Sequence, residues 1–111
     1  MKPNWFCLIL AMTLCATAYA QSSAMIAVGA SPGGVAVNPE TNTIYVTNTG
    51  DGTVSAIDGA TNSVTATISV GNQPLAIAMN PATNRVYIAD TQDNTVAVID
   101  GNKNVVSCVN K

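Results

Sequence analysis

The sequence predicts an all-β protein of two four-stranded antiparallel sheets plus one extra N-terminal strand. Three observations predict it: an internal repeat, short runs of Val, Ile, Thr and Tyr within it, and turn residues between the runs. A shift of 42 residues places Pro32 on Pro74, Tyr45 on Tyr87 and Asp58 on Asp100. Residues 28–69 and 70–111 share 18 identities in 42 positions, far above chance. A period of this length marks supersecondary units that bury their apolar faces against one another.

In the first unit the runs are 34–38, 43–48, 53–58 and 63–70; in the second they are 75–80, 85–90, 95–100 and 104–109. Their β-branched and aromatic residues fit a pleated surface. Asp51-Gly52 reads as a hairpin turn, and Asn38-Pro39, Asp58-Gly59 and Val70-Gly71 mark the other breaks. No apolar period of 3.6 residues survives between these breaks, so helix is not expected in this part of the chain. The run 63–70 alternates Val64, Ala66, Ile68 and Val70 with Ser63, Thr65, Thr67 and Ser69, the pattern of a half-exposed outer strand. Leu75-Ala76-Ile77-Ala78-Met79 is apolar on both faces and is expected to be sandwiched. Sheets graded in this way from buried to half-exposed suit the blades of a β-propeller, each packed face to face with its neighbours. Ala24–Val28 matches Ala66–Val70 and reads as the outer strand of a preceding blade.

Residues 1–20 stand outside the repeat. Lys2, the apolar run from Trp5 to Leu14 and Ala18-Tyr19-Ala20 compose a secretory signal peptide with cleavage after Ala20. The run is about half the length a spanning helix needs, so no membrane insertion is expected after cleavage. A lipoprotein signal at Cys15 is disfavoured by Leu14, where a small residue is wanted. The mature chain, 21–111, is therefore expected to be secreted or periplasmic. Loss of Lys2 takes the net charge from −2 to −3. An acidic chain has no electrostatic footprint for nucleic acid. Cys7 and Cys15 leave with the signal, so Cys108 remains alone and an intrachain disulfide framework is excluded.

Tyr45-Val46-Thr47-Asn48 spells the signature of the YVTN family of β-propeller repeats, a YncE-like pattern. Val28-Gly29-x-x-Pro32, Asn38-Pro39-x-Thr41-Asn42 and Asp51-Gly52-Thr53-Val54 resemble the rest of that repeat. The second unit departs at the signature, with Tyr87-Ile88-Ala89-Asp90, but keeps the frame. The resemblance spans 24–111 and implies a propeller, usually of seven blades, secreted or periplasmic, serving binding proteins, surface proteins and redox-enzyme subunits alike. Two blades make an incomplete propeller, since closed rings have four or more.

Candidate site residues are few. There is no histidine, which removes Ser-His-Asp and Cys-His catalysis and ordinary zinc ligation. No catalytic residue, metal site or cofactor is expected. Asp51 and Asp93 are equivalent hairpin residues that suit either turn chemistry or, with Asn48 and Asp90, a cation or polar ligand at a propeller face. Asp58 and Asp100 read as turn caps, Tyr45 and Tyr87 as packing between blades, and Cys108 as a small apolar residue of the outer strand. The function expected is a non-enzymatic, exported binding or scaffold module. It would be either a fragment of a longer propeller or a short chain that self-associates, or binds a protein partner, through exposed blade faces. The alternative is an accessory propeller subunit of an exported redox enzyme.

Overall fold

A computed structural model describes residues 23–109. The expected signal peptide and its cleavage after Ala20 fall outside the described residues. Eight strands form two antiparallel sheets in chain order. The first sheet holds β1 (Pro32–Asn38), β2 (Thr43–Asn48), β3 (Thr53–Asp58) and β4 (Ser63–Ser69). The second holds β5 (Pro74–Asn80), β6 (Arg85–Asp90), β7 (Thr95–Asp100) and β8 (Val105–Val109). No helix occurs among the described residues. The two central strands of each sheet span the residues the sequence pattern predicts.

The hairpin loops owe their shape to short polar residues. Asn42, Asn62, Asn84, Asn94 and Asn104 all adopt positive φ, the left-handed conformation that Asn tolerates and that turns the chain into the next strand. Asp58 Oδ1 accepts the Ala60 N–H at 2.9 Å and Asp100 Oδ1 the Asn102 N–H at 3.0 Å, so both are turn caps as expected. Asn38 and Asn80 cap the preceding hairpins in the same way, through Glu40 and Ala82.

The core lies between the sheets. The front face of the first sheet supplies Tyr45, Val54, Ala56 and Ile68; the back face of the second supplies Val86, Ile88, Ala97 and Ile99. Burial raises the pKa of the Tyr45 phenol, and the Asp100 carboxylate raises it further.

Four expectations are corrected. Tyr45 is 2% exposed, but Tyr87 is 38% exposed, because no sheet formed by the described residues covers it. In β5 only Ile77 and Met79 pack against the core; Ala76 and Ala78 are exposed for the same reason, and Leu75, whose side chain lies toward Gly33 of the first sheet, is 48% exposed. Val64 does not share a face with Ala66: Ala66 pairs with Ala56 and Val64 with Ile57, so a bulge at Thr65 moves Val64 to the back of the sheet. The second sheet has no such bulge, and Cys108 pairs with Ala97 rather than with the counterpart of Ala56. Its side chain lies outside the described part. Ala24–Val28 belongs to neither sheet and forms no ladder among the described residues.

Truncating the fully buried Ile88 side chain tests the interface between the sheets. Ile88→Val is expected to lower stability by about 1 kcal/mol and Ile88→Ala by about 2–5 kcal/mol, read from denaturant midpoints. A loss from Ile88→Ala no greater than that from Ile88→Val would contradict this packing.

Candidate functional site

The signature tetrapeptide in β2 is a set of fasteners. Tyr45 and Thr47 point forward; Val46 and Asn48 point back. The Gly34 N–H donates to Thr47 Oγ1 at 2.8 Å. The Thr47 hydroxyl in turn donates across to the Leu75 carbonyl of the second sheet at 3.1 Å. One residue on, the Thr49 hydroxyl donates to the Pro74 carbonyl at 2.7 Å. At the opposite end of the sheets the Asn38 side-chain amide donates to Asn84 Oδ1 at 2.9 Å. These cross-sheet ties were not singled out from the sequence, although the identity of Asn38 with Asn80 and of Thr49 with Thr91 was a signal for two of them.

Asn48, fully buried, accepts the Gly29 N–H at 3.0 Å and donates to Thr53 Oγ1 at 3.0 Å and Ser55 Oγ at 2.9 Å. Asp51 Oδ2 accepts the Ala30 N–H at 2.9 Å. Together they hold the strand entry 29–31 against the 49–52 loop. A Cβ on Gly29 would stand 2.6 Å from Asp51 Oδ2 and 2.7 Å from Asn48 Cγ, so this approach requires glycine.

The second sheet repeats the arrangement with two changes. Asp93 Oδ2 accepts the Asn72 N–H at 3.0 Å and Oδ1 the Asn72 side-chain amide at 2.9 Å. These bonds lower the Asp93 pKa. Asp90 replaces Asn48, and Ala97 replaces its partner Ser55. The Asp90 carboxyl is 1% exposed; Thr95 donates only a long bond of 3.5 Å to Oδ2, and Oδ1 has no partner. Burial raises the Asp90 pKa, against the pull of the Gly71 N–H.

The four candidates therefore form two separate pairs, one per sheet, each engaged with its own strand entry. Only Asp51 reaches shared space. It lines a cleft of about 260 Å³ with Thr49, Gly50, Gly52, Asn72, Gln73 and Gln92, where loops of both sheets emerge on one side. Among the described residues no group of three or more His, Cys, Asp or Glu side chains could hold a metal ion.

Two graded antiparallel sheets stacked front to back are neighbouring blades of a β-propeller. The sequence matches the YNCE-like beta-propeller family over residues 3–110, and the chain belongs to that family. No curated protein matches the sequence. Among solved structures, hydrazine synthase of Kuenenia stuttgartiensis is similar with a TM-score of 0.67 at 23% identity, over 81% of this chain and 26% of that one. Apo AztD of Citrobacter koseri is similar with a TM-score of 0.64 at 20% identity, over 74% of this chain and 23% of that one. The chain thus spans about a quarter of the length of these structures.

Asp90 supplies a prediction with a definite sign. A group whose folded pKa is raised stabilises the fold only where it is protonated, and this contribution is lost as pH rises through the folded pKa. At neutral pH the buried carboxylate is therefore a cost. Asp90→Asn, which copies Asn48, is expected to raise stability at pH 7 by about 1–2 kcal/mol, with the gain shrinking below the ordinary aspartate range. Adding Ala97→Ser supplies the missing acceptor. Denaturant titrations at pH 7 and pH 3.5 check this, and a gain of equal size at both values would contradict it.

Proposed function

We propose that the chain is a non-catalytic binding or scaffold module acting outside the cytoplasm. The observation that supports this best is the occupation of the candidate carboxylates. Asp51 and Asp93 hold the strand entries through Ala30 and Asn72, and Asp90 is buried beneath Gly71. The chain has no histidine, the side chain that most often serves as a general base. What the chain offers to partners is surface: the outer faces of its two blades. Both carry exposed apolar side chains, Val35 and Val37 at one end and Tyr87 and Val105 at the other. Exposed apolar patches of this kind mark interaction sites.

The accessory-subunit reading stands second. In its favour is the structural likeness to a chain of hydrazine synthase, which at this identity bears on the fold alone.

Two measurements test the proposal. Exported material is expected to have the intact mass of a chain beginning at Gln21; a full-length species anchored in the inner membrane would sink the exported reading. Purified protein is expected not to turn over ester, peptide or lactone substrates. Robust turnover abolished by Asp51→Ala or Asp93→Ala, with circular dichroism unchanged, would overturn the non-catalytic reading.

A further inference from the structure

We infer that the connection between the two blades, residues 70–73, is a latch controlled by one proton. It lies closed over Asp90 while that side chain is a neutral acid, and ionisation of Asp90 lifts it, loosening one wall of the cleft at Asp51. The latch operates whatever the cleft binds.

Asp90 closes β6 with a side chain that is 1% exposed. Gly71 lies directly on its carboxyl. A Cβ on that glycine would stand 2.6 Å from Asp90 Oδ2 and 2.8 Å from Asp93 Oδ2, so the glycine sits between two carboxylates with the inner one sealed beneath it. Asp90 Oδ1 has no hydrogen-bond partner. The first blade shows what is missing. There Asn48, at the same repeat position, donates to Ser55 Oγ at 2.9 Å, and the second blade has Ala97 where Ser55 would stand. A buried carboxylate with an unpaired oxygen costs far more than the neutral acid. The site therefore favours whichever change removes the charge or the burial. Among the described residues no cluster of ligands stands ready for a metal ion, which leaves the proton as the neutralising group.

The latch is fastened from outside. Asp93 holds the Asn72 N–H and the Asn72 side-chain amide. The Thr91 and Gln92 N–H groups donate to the Gln73 and Asn72 carbonyls at 3.0 and 3.3 Å. All of these residues are exposed, so their bonds exchange for bonds to water at little cost. Both ends of the segment are anchored: the Val70 N–H donates to the Gly52 carbonyl at 3.0 Å, and Pro74 is paired with Asp90. Lifting the residues between these anchors hydrates Asp90 without parting either sheet. Asn72 and Gln73 also line the cleft with Asp51, so the same movement reshapes its wall.

The two carboxylates about Gly71 titrate apart. Burial raises the Asp90 pKa, opposed by the Gly71 N–H and reinforced by the Asp93 charge, while the Asn72 donors lower the pKa of Asp93. Asp93 therefore keeps its hold on Asn72 until pH falls through its lowered pKa. The contribution of neutral Asp90 is lost as pH rises through its raised one. The latch is tightest between the two. Other charges stand apart. Pro74 and Thr95, the strand neighbours of Asp90, are uncharged, and Arg85 and Lys103 lie at the Asp100 end of the sheet. Asp51 is on the first-blade side of the cleft.

Amide hydrogen exchange, followed by NMR on the full chain from about pH 4 to about pH 8, tests the latch with the first blade as internal control. After correction for intrinsic rates, protection at Gly71, Asn72, Thr91 and Gln92 is expected to fall as pH rises. The fall is up to about tenfold per pH unit between the ordinary aspartate pKa and the raised one, and then levels off. Gly29, Thr49 and Gly50, held by the equivalent bonds of the first blade, are expected to keep constant protection. Asp90→Asn is expected to flatten the second-blade profile, and Ala97→Ser, which gives Oδ1 a donor, to shrink its slope. A decline shared equally by both blades, or none at the four second-blade amides, would overturn the latch, as would a decline that survives Asp90→Asn. The unaltered chain can return either of the first two results, so the test holds even where a variant fails to fold.

Discussion

The fold depends on how closely the inner strands of adjacent blades can approach. Burial of apolar faces draws the sheets together, but it is non-directional and fixes neither register nor spacing. Those are set at Gly34, Thr47 and Leu75, where a residue without a side chain clears room for a carbonyl and a hydroxyl spans the gap. Tyr45 then reaches the layer between the sheets at 2% exposure, and Asn38 reaches Asn84 at the far end. A methyl group at position 34 would disturb every contact of that layer at once, because packed interiors have little slack to absorb it.

The two blades also show which parts of a repeat unit are free to drift. The asparagines at positive φ in the first and third hairpins of each blade, Asn42 with Asn84 and Asn62 with Asn104, persist because few other residues take that conformation without strain, and in the second hairpin Gly52 and Asn94 share it. Asp90 and Ala97 stand where the first blade has Asn48 and Ser55, and the second blade retains the glycine contact while lacking the hydroxyl, so Asp90 Oδ1 has no donor. Asp51 and Asp93, whose bonds run to loop backbone, are unchanged.

Much of this was legible in the sequence. The period, the central strands and the turn caps follow from local chemistry: β-branched runs, Asx turns and glycine at tight approaches. What local pattern could not carry was the outcome of contacts with something beyond the repeat. Tyr45 and Tyr87 are identical in frame, yet only one has a sheet laid over it. Leu75 to Met79 reads as a strand buried on both faces, because its sequence does not reveal that the described residues cover only one of them. The bulge at Thr65 was hidden by an alternation of Val, Ala and Ile that looks uninterrupted, since a single extra residue changes the face of Val64 without changing the spacing. The candidate site was legible as a list of residues but not as a geometry. Asn48, Asp51 and Asp93 lie 19 to 21 residues from the strand entries they hold, and only the folded structure divides the four candidates into two self-contained pairs.

That division bears on how a propeller of this kind acquires a function. A carboxylate that accepts backbone N–H groups has its lone pairs occupied and is a poorer ligand or base than a free one. Asp93, whose pKa is lowered by such bonds, is of this kind. Asp90 is not fully engaged, but it is buried, and burial favours its protonated form. The groups left to recognise anything are the loop amides and hydroxyls around the cleft at Asp51 and the apolar faces at the two ends. The cleft is polar and small, whereas the end faces offer whole strands of Val, Ile, Ala and Tyr. Apolar area removed from water at about 25 cal/mol per Å² outweighs a few loop hydrogen bonds of about 1 kcal/mol each once more than roughly 100–200 Å² is covered. For the binding role proposed above, the exposed apolar side chains at the ends, Val35, Val37, Tyr87 and Val105, therefore weigh more than the cleft.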